Sequence, residues 1–279
     1  MTNFNDTIKL AGKLVTRRMG IGADAGIGAR PLEWAFERGL NYFYWGTRRS
    51  PGMKQAIRNL APSKRDEMVI ALQTYDVTGL ASAHTFHRGL RQLNIDYADV
   101  LILGKRDGPV SRRAQDSALA LQDAGLVKHL CISAHDRSHY RAHLESGLYD
   151  IIMVRYNCAH PGAEREIFPL LEQTSPRPSV IVYNSTRWGH LFDPKWMPDG
   201  ERTPESTHLY RHALTHPDVD MVLTAPATEA QLVANVKALE QGPLDADEIA
   251  WLSRVGKHVH GLNPSTNWDF LFSSRGPGK

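Results

Sequence analysis

The chain has little cysteine, little net charge and no long apolar run. Only two of its 279 residues are cysteines, which excludes a small secreted scaffold held by a disulfide framework. Cys131 and Cys158 each sit in an apolar stretch where a reduced, buried thiol is expected, and this points to the cytoplasm. The formal net charge is only +3, with Lys and Arg interleaved among Asp and Glu, so there is no basic stripe of the kind nucleic acid requires. No stretch reaches the roughly 18 consecutive apolar residues of a membrane span. The polar residues 1–6 lack the apolar core of a signal peptide. The expectation is a soluble protein that partners neither nucleic acid nor membrane.

What is present is a regular beat. Short β-rich runs at 18–21, 41–45, 68–73, 100–103, 127–133, 151–155, 179–184 and 221–223 alternate with helical segments. Several are continuous apolar runs, such as Val100-Leu101-Ile102-Leu103 and Val180-Ile181-Val182-Tyr183, which suits strands covered on both faces. The helices have legible ends: 111–124 opens on Ser111 and stops at Gly125, 228–241 opens on Thr228 and stops at Gly242-Pro243, and 245–255 opens on Asp245 with Glu248 three residues on. No Gly/Ser/Pro linker divides the chain before residue 261. The pattern therefore predicts an α/β fold, a single (β/α)8 TIM barrel over 1–279. Residues 9–15 read as a hairpin around Gly12 that plugs the barrel bottom. The tail 261–279 carries Trp268, Phe270, Leu271 and Phe272, a cluster expected to pack on the barrel. The 187–205 segment is a long loop after the seventh strand, on the side where barrel active sites are built.

Several spaced motifs together resemble the aldo-keto reductases. Arg38-Gly39-Leu40-Asn41-Tyr42-Phe43 is similar to that family's helix end and second strand, and Gly89-Leu90-Arg91-Gln92-Leu93-Asn94-Ile95-Asp96-Tyr97-Ala98-Asp99-Val100 to the signature before its fourth. Ala124-Gly125-Leu126-Val127-Lys128-His129-Leu130 with Ile132-Ser133 resembles the fifth strand, and Gln231-Leu232-Val233-Ala234-Asn235 the adenine-end motif of the eighth helix. The resemblance implies a barrel that binds NADP or NAD and reduces a carbonyl by hydride transfer. A tyrosine would supply the proton, supported by a lysine and an aspartate, and a histidine would orient the substrate.

This sequence departs from the family at all four positions: the aspartate falls on Tyr44, the tyrosine on Arg49, the lysine on Gln73 and the histidine on Gly104. The standard tetrad is absent, and with it the cation that lowers a tyrosine pKa toward neutrality. The cofactor positions are mixed. By resemblance Ser133 meets the carboxamide, Tyr183 stacks on the nicotinamide, and Asn184, Thr228, Gln231 and Asn235 complete the cofactor set, whereas other carboxamide ligands fall on Ala134 and Met153. The stretch from Thr224 to Asn235 holds no Lys or Arg for a 2′-phosphate, so NADP against NAD stays open.

Side chains on a strand alternate, so Tyr42 and Tyr44 share one side, and if that side faces inward Tyr44 lies near Gln73. Trp45, Arg48 and Arg49 would follow on the loop and, with Trp188, make an aromatic, cationic mouth. Arg49, Lys105 and Arg155 suit an anionic small-molecule substrate. Two readings of the pair stand side by side. Tyr44 and Gln73 either serve chemistry, as donor and orienter with Arg49 as anion anchor, or hydrogen-bond to each other as filling for the lost tetrad. His135, His139 and His143 recur at helical spacing without the acidic partner of known metal motifs, so a solvated face is expected and no metal. Cys158 and His160, two apart, do not make a catalytic pair. The functional expectation is an NAD(P)-linked oxidoreductase of aldo-keto reductase type with a non-standard site. The alternatives are a binding or regulatory barrel that has lost catalysis and a non-redox lyase or isomerase.

Overall fold

The computed structural model describes residues 4–22, 26–46, 51–74, 76, 78–104 and 108–262. The chain opens with an antiparallel hairpin, β1 (Thr7–Leu10) and β2 (Leu14–Arg17). Ala11 and Gly12 take left-handed conformations (φ 50° and 70°), and Lys13 N donates to Leu10 O at 3.1 Å. That is the turn whose twist matches paired strands. Leu10 and Leu14 point up into the barrel and close its floor, as the pattern around Gly12 predicts. Ala11 N donates to Ser179 Oγ at 2.9 Å, which ties the plug to the wall.

The wall is a closed, all-parallel barrel of eight strands: β3 (Met19–Ile21), β4 (Tyr42–Trp45), β5 (Val69–Thr74), β6 (Ala98–Leu103), β7 (Val127–Ser133), β8 (Ile151–Arg155), β9 (Ser179–Tyr183) and β10 (Met221–Thr224), which pairs back to β3. The expected strands are all present, with ends shifted by a residue or two. Alternation divides each strand between two cores. Tyr42, Ala71, Ile102, Cys131, Met153 and Ile181 fill the lumen, while Phe43, Ile70, Leu101, Ile132, Ile152 and Val182 pack outward under the helices.

The floor is stitched by three aspartates, each near the start of one strand and each accepting a backbone N–H from the strand before it. Asp99 takes Ile70 N (2.9 Å), Asp150 takes Leu130 N (3.3 Å) and Asp220 takes Val180 N (2.6 Å). Each also has a basic partner. Asp99 is buried yet fully paired, with Arg65 and Lys128 each at 2.9 Å. Asp220 pairs with Arg177 at 3.0 Å, and Asp150 with His129 at 3.1 Å. A buried carboxylate is tolerable only when answered in this way.

The helices are α1 (Ala29–Glu37), α2 (Pro51–Lys64), α3 (Ser82–Leu93), α4 (Arg112–Asp123), α5 (Tyr140–Glu145), α6 (Ala163–Glu166), α7 (Phe168–Leu171), α8 (Ser206–Thr215), α9 (Glu229–Val236), α10 (Ala238–Gln241) and α11 (Ala246–Gly261). Ser111 caps α4 and Thr228 caps α9, through hydrogen bonds to Ala114 N and Gln231 N. Asp245 and Glu248 form the expected capping box of α11 (2.8 and 3.1 Å). Two helical readings need correction. The segment 228–241 is not one helix: Glu240 N bonds Lys237 O, three residues back, so the chain winds tighter there and α9 and α10 separate. The last helix runs past Val255 to Gly261 because Val259 still finds a place in the core. No helix of the described residues is long and apolar enough to cross a membrane. The aromatic tail beyond Leu262 lies outside the described residues.

Candidate functional site at the barrel mouth

The inward phase of each strand, followed to its C-terminal end, decides which side chains line the mouth. Above the lumen stand Tyr44 on β4, Gln73 on β5, Gly104 just past β6, Ser133 on β7, Arg155 on β8 and Tyr183 on β9. Tyr44 is half-buried and its hydroxyl donates to Gln73 Oε1. The Gln73 amide in turn lies over Gly104: a Cβ on residue 104 would stand 1.7 Å from Gln73 Nε2 and 2.5 Å from its Cδ. Residues 73 and 104 thus constrain each other in space. With Gln73 in this pose, no side chain fits at 104.

The end of β7 is braced from behind. Tyr140, at the start of α5 and 1% exposed, accepts from Ala134 N at 3.2 Å and donates to Met153 O. This fixes the strand end that carries Ser133 and links it to β8. Tyr183 donates to Ala134 O at 3.3 Å, and its ring meets His135 edge-on at 6.2 Å between centroids. Tyr140 carried no motif and was invisible to sequence reasoning.

Beyond β8 and β9 two loops are locked to each other. Asn157 Nδ2 donates to Asn184 O (2.8 Å), and Asn157 Oδ1 accepts from Ala159 N (3.0 Å) and His160 N (2.9 Å). Asn184, Arg187 and Trp188 are all left-handed (φ 60°, 49° and 54°), and Trp188 N donates to Asn184 Oδ1 at 3.0 Å. Trp188 is 43% exposed on the rim of the 187–205 loop. Four buried polar atoms at this end, Asn184 Nδ2, Ser185 Oγ, Arg155 Nε and Arg187 Nε, have no hydrogen-bond partner among the described residues. Such atoms are costly unless a ligand or water meets them.

Other expected site residues fall differently. Trp45 does not line the mouth: it is on the outward phase of β4, 5% exposed among helix-facing side chains, because 43 and 45 alternate with 42 and 44. Arg48, Arg49 and Lys105 lie outside the described residues. Asn235 is buried and donates to Thr224 Oγ1 at 2.8 Å, while Thr228 and Gln231 are exposed at the start of α9, where Gln231 Oε1 accepts from Ala227 N (2.8 Å). His143 is not on a solvated face; it is 5% exposed between Tyr140 and Tyr149. Among the described residues no group of side chains is arranged to hold a metal ion. Burial pushes the Cys158 thiol up to about 12, so it is inert as a nucleophile.

The architecture defines a (β/α)8 barrel. Solved structures that match it include aldo-keto reductases. One from Bacillus halodurans superposes with a TM-score of 0.74 at 20% identity, over 90% of this chain and 95% of that one. One from Klebsiella pneumoniae, in complex with NADPH, gives 0.75 at 19% identity, over 92% and 96%. One from Brucella melitensis gives 0.70 at 16%, over 91% and 99%. No protein-family model and no curated protein matches the sequence. At these identities the likeness establishes the fold alone.

Proposed function

We propose that the chain is an NAD(P)-linked oxidoreductase of aldo-keto reductase type that acts on a small carbonyl compound through Tyr44 and Gln73 in place of the family's tetrad. The observation that carries this reading is the placement of Ser133 and Tyr183. Both project into the mouth above the apolar lumen, at the positions that resemble carboxamide and ring contacts of a nicotinamide. The unpaired Asn184 Nδ2 and Ser185 Oγ beside them are a donor set suited to a dinucleotide. A bound nicotinamide would supply the hydride.

The protein's own groups do the rest. The Tyr44 hydroxyl donates a hydrogen bond to Gln73 Oε1, and this bond polarises the Gln73 amide and strengthens Nε2 as a donor toward the mouth. A carbonyl oxygen within reach of Nε2 accepts a hydrogen bond from an uncharged donor that gives up no proton, so the alkoxide left by hydride addition takes its proton from water. Without a tyrosine of lowered pKa, proton delivery loses a factor of about 10² to 10⁴, so turnover of simple aldehydes is slow. The α9 start has Glu229 in its first turn and no basic residue, so the 2′-phosphate of NADP earns no charge-assisted bond there. One observation favours a second reading, a barrel that binds its ligand without turnover: the Tyr44 proton is already committed within the protein.

Titration of the whole chain with NADPH and with NADH, followed through tryptophan fluorescence, tests the proposal. Saturable quenching by both, with affinities within about tenfold, is expected. Absence of binding by either refutes the redox reading, and binding without any hydride transfer to carbonyl compounds selects the second.

A further inference from the structure

Elsewhere among the described residues, arginines drawn toward the protein interior are answered. Arg18 donates to three backbone carbonyls, and Arg65, Arg177 and Arg211 each face a carboxylate, at 2.9, 3.0 and 2.8 Å. At the mouth the rule breaks. Arg155 ends β8 on the inward phase, across from Tyr183 on β9. It has no hydrogen bond or ion pair with any described residue, and its Nε is buried. Arg187, in the turn after β9, is 2% exposed, and its Nη1 donates to Val259 O on α11. No described carboxylate answers either guanidinium. The two are close enough that, after burial, Arg155 is the next cause pulling the Arg187 guanidinium below its ordinary value. His160, packed beside them and bonded to Asn157 Oδ1, is held neutral: burial first, then Arg155 and Arg187, bring it down to about 3.

Two like charges without a counter-charge in a partly dry site weaken the fold. The cost is removed when an oxyanion sits between them and the mouth. We propose that Arg155, reinforced by the field of the buried Arg187, anchors a carboxylate or phosphate group carried by the substrate. Arg187 is enclosed and engaged with α11, so it contributes charge. Arg155 is accessible and contributes the planar fork that fits such groups. The inference takes the mouth as the substrate site, as in the function proposed above, but it needs no hydride transfer and is tested without it.

The probe is inorganic phosphate, titrated into the whole chain by ³¹P NMR and by thermal unfolding, alone and with saturating NADH or NADPH. Saturable binding that raises the melting temperature is expected in the parent, with at least about tenfold weaker binding in Arg155→Gln and part of it retained in Arg155→Lys. Without phosphate, Arg155→Gln is expected to unfold at the same temperature as the parent or higher, since it relieves repulsion. Absence of saturable binding by the parent, binding by Arg155→Gln equal to the parent, or a phosphate-free Arg155→Gln that melts lower, each overturns the proposal. Simultaneous binding of phosphate and dinucleotide supports a substrate anion. Displacement of one by the other assigns Arg155 to the cofactor's pyrophosphate and overturns the substrate assignment. A chain that binds phosphate but neither dinucleotide leaves this proposal standing and refutes the redox reading.

Discussion

Gly104→Ala is the substitution whose effect depends most sharply on one neighbour. Gly104 is not in the left-handed region, so alanine is acceptable to its backbone, and the nearest obstacle is the Gln73 amide 1.7 Å from the new Cβ. Gln73 is 8% exposed and bonded to Tyr44, so it cannot swing away without losing that bond. Overpacking of this kind costs about 1–3 kcal/mol. In a Gln73→Ala background the obstacle is gone, and Gly104→Ala is expected to stabilise by about 0.4–1 kcal/mol through the less flexible unfolded chain. The double-mutant cycle should therefore show a coupling of about 1.5–4 kcal/mol between residues on adjacent strands. Urea unfolding of the four proteins measures it directly. If Gly104→Ala costs the same in both backgrounds, the Gln73 side chain does not lie over Gly104, and the packing argument is refuted.

Tyr44→Phe leaves Gln73 Oε1, on a side chain only 8% exposed, without its donor, so stability should fall by about 1–3 kcal/mol; loss of ligand binding or turnover in the folded variant supports the chemical role, and unaltered function refutes it. Tyr140→Phe strips partners from Ala134 N and Met153 O in a dry site, and about 2–3 kcal/mol of destabilisation is expected by denaturant unfolding. His212 lies against Tyr156 (ring centroids 5.4 Å apart), and burial, then the charge of His216, brings it down to about 4. Its folded pKa is below the unfolded value, so the unfolded chain takes up the proton first as pH falls. Stability is intact above about pH 6.5 and declines toward pH 4, by about 2 kcal/mol at pH 5 from this group. Melting temperatures across that range should fall less steeply in His212→Gln, and an unchanged slope would refute the assignment.

The strands, the plug and most helix caps were legible in the sequence because each depends on neighbours in the chain. Alternation writes two faces into Val-Leu-Ile-Leu, Ser111 and Asp245 announce helix starts, and Gly12 marks a turn whichever fold surrounds it. The same alternation held the correction to Trp45: placing Tyr42 and Tyr44 inside puts Phe43 and Trp45 outside, so a loop assignment for Trp45 ignored a rule already in use. The Tyr44–Gln73 bond was also within reach, since register between neighbouring strands follows from which faces are apolar. What only the tertiary structure decided are relations among residues distant in the chain. Residue 104 has no room for a side chain because Gln73 fills that space. Tyr140, from the following helix, braces the strand end that carries Ser133. Arg155 and Arg187 become an unanswered pair only when two strand ends close into a ring. A guanidinium in the sequence carries no record of its counter-charge, because charges interact through space and dielectric rather than along the chain, and closure of the barrel is what sets both.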